Sequence, residues 1–172
     1  LVLEQGYKQT LFSGVDVSRD TYGSQQRNVA FRVLDCVHAL HEVTGMVHCD
    51  IKPDNFLHVL GYFRLIDFDS AIEDDSVTSD VFEGYTDEYI SPEHAFAQHN
   101  KCQLKVTRAL DVWACGLVLQ EIFTGEALFG DDQSKLPAKL AEAGTYSRVD
   151  EIVRERLDEA WRGKRETAKY SG

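Results

Sequence analysis

Apolar residues recur at helical spacing from about residue 24 to residue 45, where Ala30, Val33, Leu34, Val37 and Leu40 share one face. Ser24 is placed to cap that helix and Gly45 to end it with a left-handed residue. The pattern then shortens. Met46-Val47, Phe56 to Val59 and Phe63 to Ile66 are strand-like pieces, and Gly61 stands where the last two can turn back as a hairpin. A second helical run, Asp111 to Phe123, is apolar nearly all round (Val112, Trp113, Ala114, Leu117, Val118, Ile122), which predicts a helix buried on every side and stopped by Gly125. The last pattern is amphipathic, with Val149, Ile152, Val153, Leu157, Ala160 and Trp161 on one face, before a polar end from Lys164 to Gly172 that is expected to fray. At the front, residues 1 to 4 read as a strand end, Gln5 to Lys8 as a polar connection and Thr10 to Val15 as one or two helical turns.

Composition narrows the classes of function. The 172 residues fit one domain, and 43% hydrophobic with 27% charged residues is the balance of a globular protein with a sizeable core. A formal net charge of -11 argues against nucleic acid as a partner, because phosphate backbones are bound by clustered Lys and Arg. Cys36, Cys49, Cys102 and Cys115 show neither zinc-type nor disulfide-type spacing, so four free thiols and a reducing compartment, cytoplasmic or nuclear, are expected. No apolar run is long enough for a membrane span, and no membrane partner is expected. The chain opens Leu-Val-Leu-Glu, without Met, which reads as the middle of a strand in a longer protein.

The chemistry concentrates in His48-Cys49-Asp50-Ile51-Lys52-Pro53-Asp54-Asn55 and, twelve residues after Asn55, Asp67-Phe68-Asp69. These resemble the catalytic loop H-R-D-x-K-x-x-N and the metal motif D-F-G of the protein-kinase family. Taken alone, the first is also what a capped turn between two strands looks like. Further matches follow in the family's order: Thr86 to Glu93 resembles T-x-x-Y-x-A-P-E with Ser91 for Ala, and Asp111-Val112-Trp113-Ala114-Cys115-Gly116 resembles D-V-W-x-x-G at the head of the buried helix. Leu1 to Phe12 is similar to the last small-lobe strand and the hinge.

The resemblance implies an α+β, mainly α-helical fold: the large C-terminal lobe of the bilobal kinase-like fold, with residues 1–12 as strand end and hinge and 13–172 as the lobe. It implies Asp50 as catalytic base, Lys52 as support for the transferred phosphoryl group and Thr86 as a further catalytic residue. Asn55 and Asp67 would hold magnesium. Glu4, Gly6 and Leu57, with Leu11, would meet the adenine of ATP. Lys52 and Thr86 resemble the serine/threonine-directed branch, so a protein Ser or Thr is the implied acceptor. The Gly-rich loop, strand Lys and helix Glu of the family would precede Leu1, in a small lobe expected in cis. Without it, residues 1–172 are expected to be inactive.

Several positions depart from the family pattern. Cys49 replaces an Arg that in relatives grips a phosphate on the activation segment, so a phosphate on Ser76, Thr78 or Ser79 would meet no obvious cation, and these three read as plain loop residues. Asp69 replaces a Gly valued for its backbone freedom. Between Asp67 and Glu93 stand ten Asp and Glu and no Lys or Arg, which suits basic protein substrates, or else is a solvated acidic loop. Glu93 is expected to lack its Arg partner. His41, His58, His94 and His99 show no metal-ligand spacing and read as scattered surface or satisfied histidines, Trp113 reads as core, and Phe68 is expected to pack inward with His48. Two other functions fit parts of the pattern: a catalytically impaired kinase-like scaffold, and a small-molecule phosphotransferase, whose catalytic loop also offers H-x-D and a following Asn.

Overall fold

A computed structural model describes residues 22–59, 62–79, 86–129 and 146–169. The expectations for Glu4, Gly6, Leu11 and the rest of the front segment lie outside these residues. Helix α1 (Tyr22–Thr44) ends at Gly45, which adopts φ 68° and so supplies the expected left-handed stop. Ser24 lies inside this helix and is not its cap. The buried stripe is Val29, Val33, Val37 and Leu40, while Leu34 turns outward.

Short strands follow. β1 (Met46–Val47) leads into the loop containing Asp50, a 3-10 turn covers Pro53–Asn55, and β2 (Phe56–Val59) pairs antiparallel with β3 (Tyr62–Leu65), Phe56 facing Leu65 and Val59 facing Tyr62. β4 (Ile72–Glu73) returns to pair with β1, and β5 (Val77–Thr78) pairs with β6 (Leu104–Lys105). Between the last two lie a 3-10 turn (Asp87–Tyr89) and α2 (Pro92–Asn100). Ser91, where the resemblance has Ala, is the N-cap of α2: its Oγ accepts the His94 amide at 3.3 Å, with Pro92 at the first helical position.

Helix α3 (Arg108–Thr124) runs through the core and stops at Gly125, φ 81°. Its Leu110 joins Val47, Ala97, Leu104 and Val106; its Ala114, Cys115, Val118 and Ile122 join the α1 stripe with Ile51 and Phe56; its Leu117 joins Ile90, Phe129 and Val149. One helix therefore touches every cluster, which is why it is apolar on so many sides. Val112 is the exception, 63% exposed, so among the described residues the helix is not buried all round. Helix α4 (Tyr146–Lys169) extends into the polar segment expected to fray, whose residues 170–172 lie outside the described ones, and Val149 buries against α3 while Trp161 stays half exposed. All four cysteines are free. No described helix is long and apolar enough to cross a membrane.

Candidate active site

The loop after β1 cannot form regular pairing, because its backbone is bent at Cys49, φ 66°. Left-handed backbone at a non-glycine residue costs about 1 kcal/mol or more and needs outside support. Asp111, at the head of α3 and 1% exposed, provides it: its Oδ2 accepts the His48 amide at 2.8 Å and its Oδ1 the Cys49 amide at 2.9 Å. The ring of His41 in α1, also buried, meets Asp111 Oδ2 at 2.7 Å. A buried carboxylate is stable only when its lone pairs are filled, and here three donors fill them. Neither Asp111 nor His41 was marked from the sequence as a support of the loop. A buried Asp facing a His across helices leaves no local spacing to find it by.

Asp50, 8% exposed, is held on every side. Lys52 Nζ lies 2.7 Å from Asp50 Oδ2, Thr86 Oγ1 donates to Asp50 Oδ1 at 3.1 Å, and Lys52 Nζ donates to Thr86 Oγ1 at 3.0 Å. Asn55 Nδ2 donates to the Asp50 carbonyl at 2.8 Å and to Oδ2 at 3.2 Å. With both oxygens engaged the carboxylate has one orientation, and Asn55 is left with its amide oxygen as the atom not turned to Asp50. The Ile66 amide donates to the Asn55 carbonyl at 2.9 Å, which brings the next residue, Asp67, to the Asn55 side of the site.

Asp67 is exposed and carries φ 64°, so the left-handed bend falls on it and Asp69 has an ordinary backbone. The glycine-like freedom expected at Asp69 is therefore not used there. Phe68 stacks obliquely on His48 with ring centres 5.2 Å apart, and His48 Nε2 meets the Ile66 carbonyl at 3.0 Å. Phe68 is nonetheless 48% exposed, beside an apolar groove lined by Leu40, Val43, Met46 and Leu65, and so does not pack fully inward. Leu57 is half-buried on the hairpin face opposite to Phe56, as strand alternation requires.

The remaining departures resolve individually. Cys49 folds into the apolar cluster around Val47 and Leu110, and burial, with Asp111 adding to it, pushes its thiol up to about 12. Burial likewise raises Cys115 to about 12, so neither is a nucleophile near neutral pH. Glu93 is an engaged residue, not an unpaired one. Two members of the acidic run are claimed by cations from elsewhere: Asp74 by Arg108 at 2.9 Å and Asp75 by Lys105 at 2.8 Å. Tyr89 Oη donates to Glu121 Oε2 at 2.6 Å; burial and this bond raise the Tyr89 pKa, and burial raises that of Glu121. His94 is 3% exposed and shares a cavity of about 20 Å³ with Asp50, Ser91 and Asp111.

A family model described as "Protein kinase domain" matches residues 1–169. The chain is similar to the probable serine/threonine-protein kinase mps1 of Dictyostelium discoideum, 39% identical over 55% of this chain and 10% of that protein. It is similar to the serine/threonine-protein kinase MPS1 of Saccharomyces cerevisiae, 30% identical over 60% of this chain and 15% of that protein. The dual specificity protein kinase TTK of Mus musculus is 32% identical over 56% of this chain and 12% of its own length. The chain thus aligns with a small part of each relative.

Proposed function

The chain belongs to the protein kinase family, and on that premise we propose that the protein of which it is part transfers the γ-phosphoryl group of ATP to Ser or Thr hydroxyls of other proteins. The observation that carries this reading is the closed triangle of Asp50, Lys52 and Thr86, with sides of 2.7, 3.0 and 3.1 Å. Phosphoryl transfer is catalysed by positioning and charge more than by covalent chemistry. A fixed carboxylate beside a fixed ammonium meets that requirement: Asp50 orients the attacking hydroxyl and takes up its proton, while Lys52 faces the charge of the group in transit. Thr86 already presents to Asp50 the kind of hydroxyl that an acceptor Ser or Thr would present.

The Asn55 amide oxygen and the Asp67 carboxylate are hard donors of the kind magnesium takes, and two protein ligands completed by phosphate oxygens match its habit at nucleotide sites. Among the described residues no group of three or more His, Cys, Asp or Glu could hold a metal by itself. Magnesium bound through these two residues would neutralise phosphate charge as it builds. Leu57, with Glu4 and Gly6, is proposed to meet the adenine.

The test uses the full-length protein and labelled ATP. Asp50→Asn keeps the shape and removes the base, and should lower transfer to a Ser/Thr peptide by about 100-fold or more. Lys52→Ala should lower turnover sharply as well. Unchanged turnover in both would remove Asp50 and Lys52 from the catalysis, no transfer by the wild type would favour a binding module, and transfer to a sugar or antibiotic but to no peptide would favour a small-molecule phosphotransferase.

A further inference from the structure

Two short strands decide how the halves of the site stand to one another. β1 leads to Asp50, three residues past Val47, and β4 follows Asp67, which lies five residues before Ile72. They are joined by two residue pairs, Met46 with Glu73 and Val47 with Ile72. A ladder so short does not hold its register unaided, and a slip of one residue would turn the side chains over.

Arg108, in the first turn of α3, supplies a fastening at the end of this ladder. Its Nε donates to Asp74 Oδ2 at 2.9 Å, its Nη1 to Glu42 Oε1 at 2.7 Å and its Nη2 to the His41 carbonyl at 3.0 Å, while its backbone amide reaches Asp74 Oδ1 at 3.3 Å. Asp74 is the residue after β4, and its own amide donates to the Gly45 carbonyl, just before β1, at 2.9 Å. One guanidinium thus grips the end of α1, the head of α3 and the end of β4. A planar fork reaches acceptors spread around its edge in fixed directions, whereas the three donors of a lysine radiate from a single nitrogen that all three acceptors would have to approach. The neighbouring Lys105–Asp75 pair is well exposed on both sides and contributes little by comparison.

We propose that Arg108 and Asp74 are positioning residues for phosphotransfer: their fork pins β4 to β1 in register and so sets Asp67 against Asp50. The proposal rests on the phosphotransfer reading above. Arg108 also holds the carbonyl of His41, whose ring sits on Asp111, so the same grip reaches the carboxylate that supports the His48 and Cys49 amides.

The experiment compares full-length wild type with Asp74→Asn, which keeps the shape and loses the charge, and Arg108→Lys, which keeps the charge and loses the fork. Amide hydrogen exchange is read at His48, Cys49 and Asp74, beside turnover and the magnesium concentration at half-maximal rate. Both variants should speed exchange at all three amides together, lower turnover about tenfold and raise the magnesium requirement severalfold. Faster exchange confined to Asp74 and its neighbours, with His48 and Cys49 still protected and the magnesium dependence unchanged, would overturn the proposal. If wild type transfers no phosphoryl group, the functional reading fails by itself, and the exchange at His48 and Cys49 still decides whether the fork sets the register.

Discussion

His94 enters the first turn of α2 and loses its water there, so burial pulls its pKa down to about 4, against a smaller upward pull from the Asp50 carboxylate. In the unfolded chain such a ring titrates near 6.5. Between these values the unfolded chain takes up a proton that the native chain refuses, so this contribution to stability is complete above the unfolded pKa and is lost as pH falls toward the folded one. The loss should reach about 3 kcal/mol. Replacing the ring with one that cannot titrate, His94→Phe, should flatten that part of the acid limb. Urea midpoints from about pH 7 to about pH 4 measure it; a wild-type and a variant slope that coincide would show that another group carries the acid sensitivity. At this scale the sequence identified the reactive residue types. It left His94 open between a surface and a satisfied histidine and misjudged the environment of Phe68, because burial is a property of what packs around a side chain and not of its neighbours in the chain.

Helix α1 shows how an element boundary can be read from one residue. Gly45 ends it in a left-handed conformation, and a Cβ built there would meet nothing within 4 Å. The cost of Gly45→Ala is therefore backbone strain alone, about 1 kcal/mol, to be read as a lower thermal midpoint. A larger loss would mean that the Gly45 carbonyl, which accepts the Asp74 amide, had moved as well. The hairpin of β2 and β3, the α3 segment and the amphipathic face of α4 were equally legible, since periodicity is local. Ser24 misled as a cap because a polar residue in a helix and one at its start look alike in sequence. The weight given to an all-apolar α3 missed Val112, which no described residue covers. Strands β4, β5 and β6 have two residues each, too few for any period to show.

For the molecule as a whole, Asp111 is where helices and site meet. Its carboxylate joins α1 through His41 and the loop of Asp50 through His48 and Cys49. Asp111→Ala would strand two buried amides and a histidine, at a cost on the order of 3 to 5 kcal/mol in chemical denaturation. A loss under about 1 kcal/mol would mean that water or another group replaces the carboxylate. The sequence by itself determined the family, since the motifs that hold Asp50, Lys52, Asn55 and Asp67 follow one another in the order of the protein kinase domain that the chain matches. It also determined where the long helices run. Only the tertiary structure decided that Thr86 closes on Lys52 across 34 positions, that His41 and Asp111 meet across 70, and that Arg108 grips Asp74 and Glu42 together. Those meetings are set by the packing of α3 against α1 and the short strands, and such convergence leaves no period, motif or composition along the chain from which to read it.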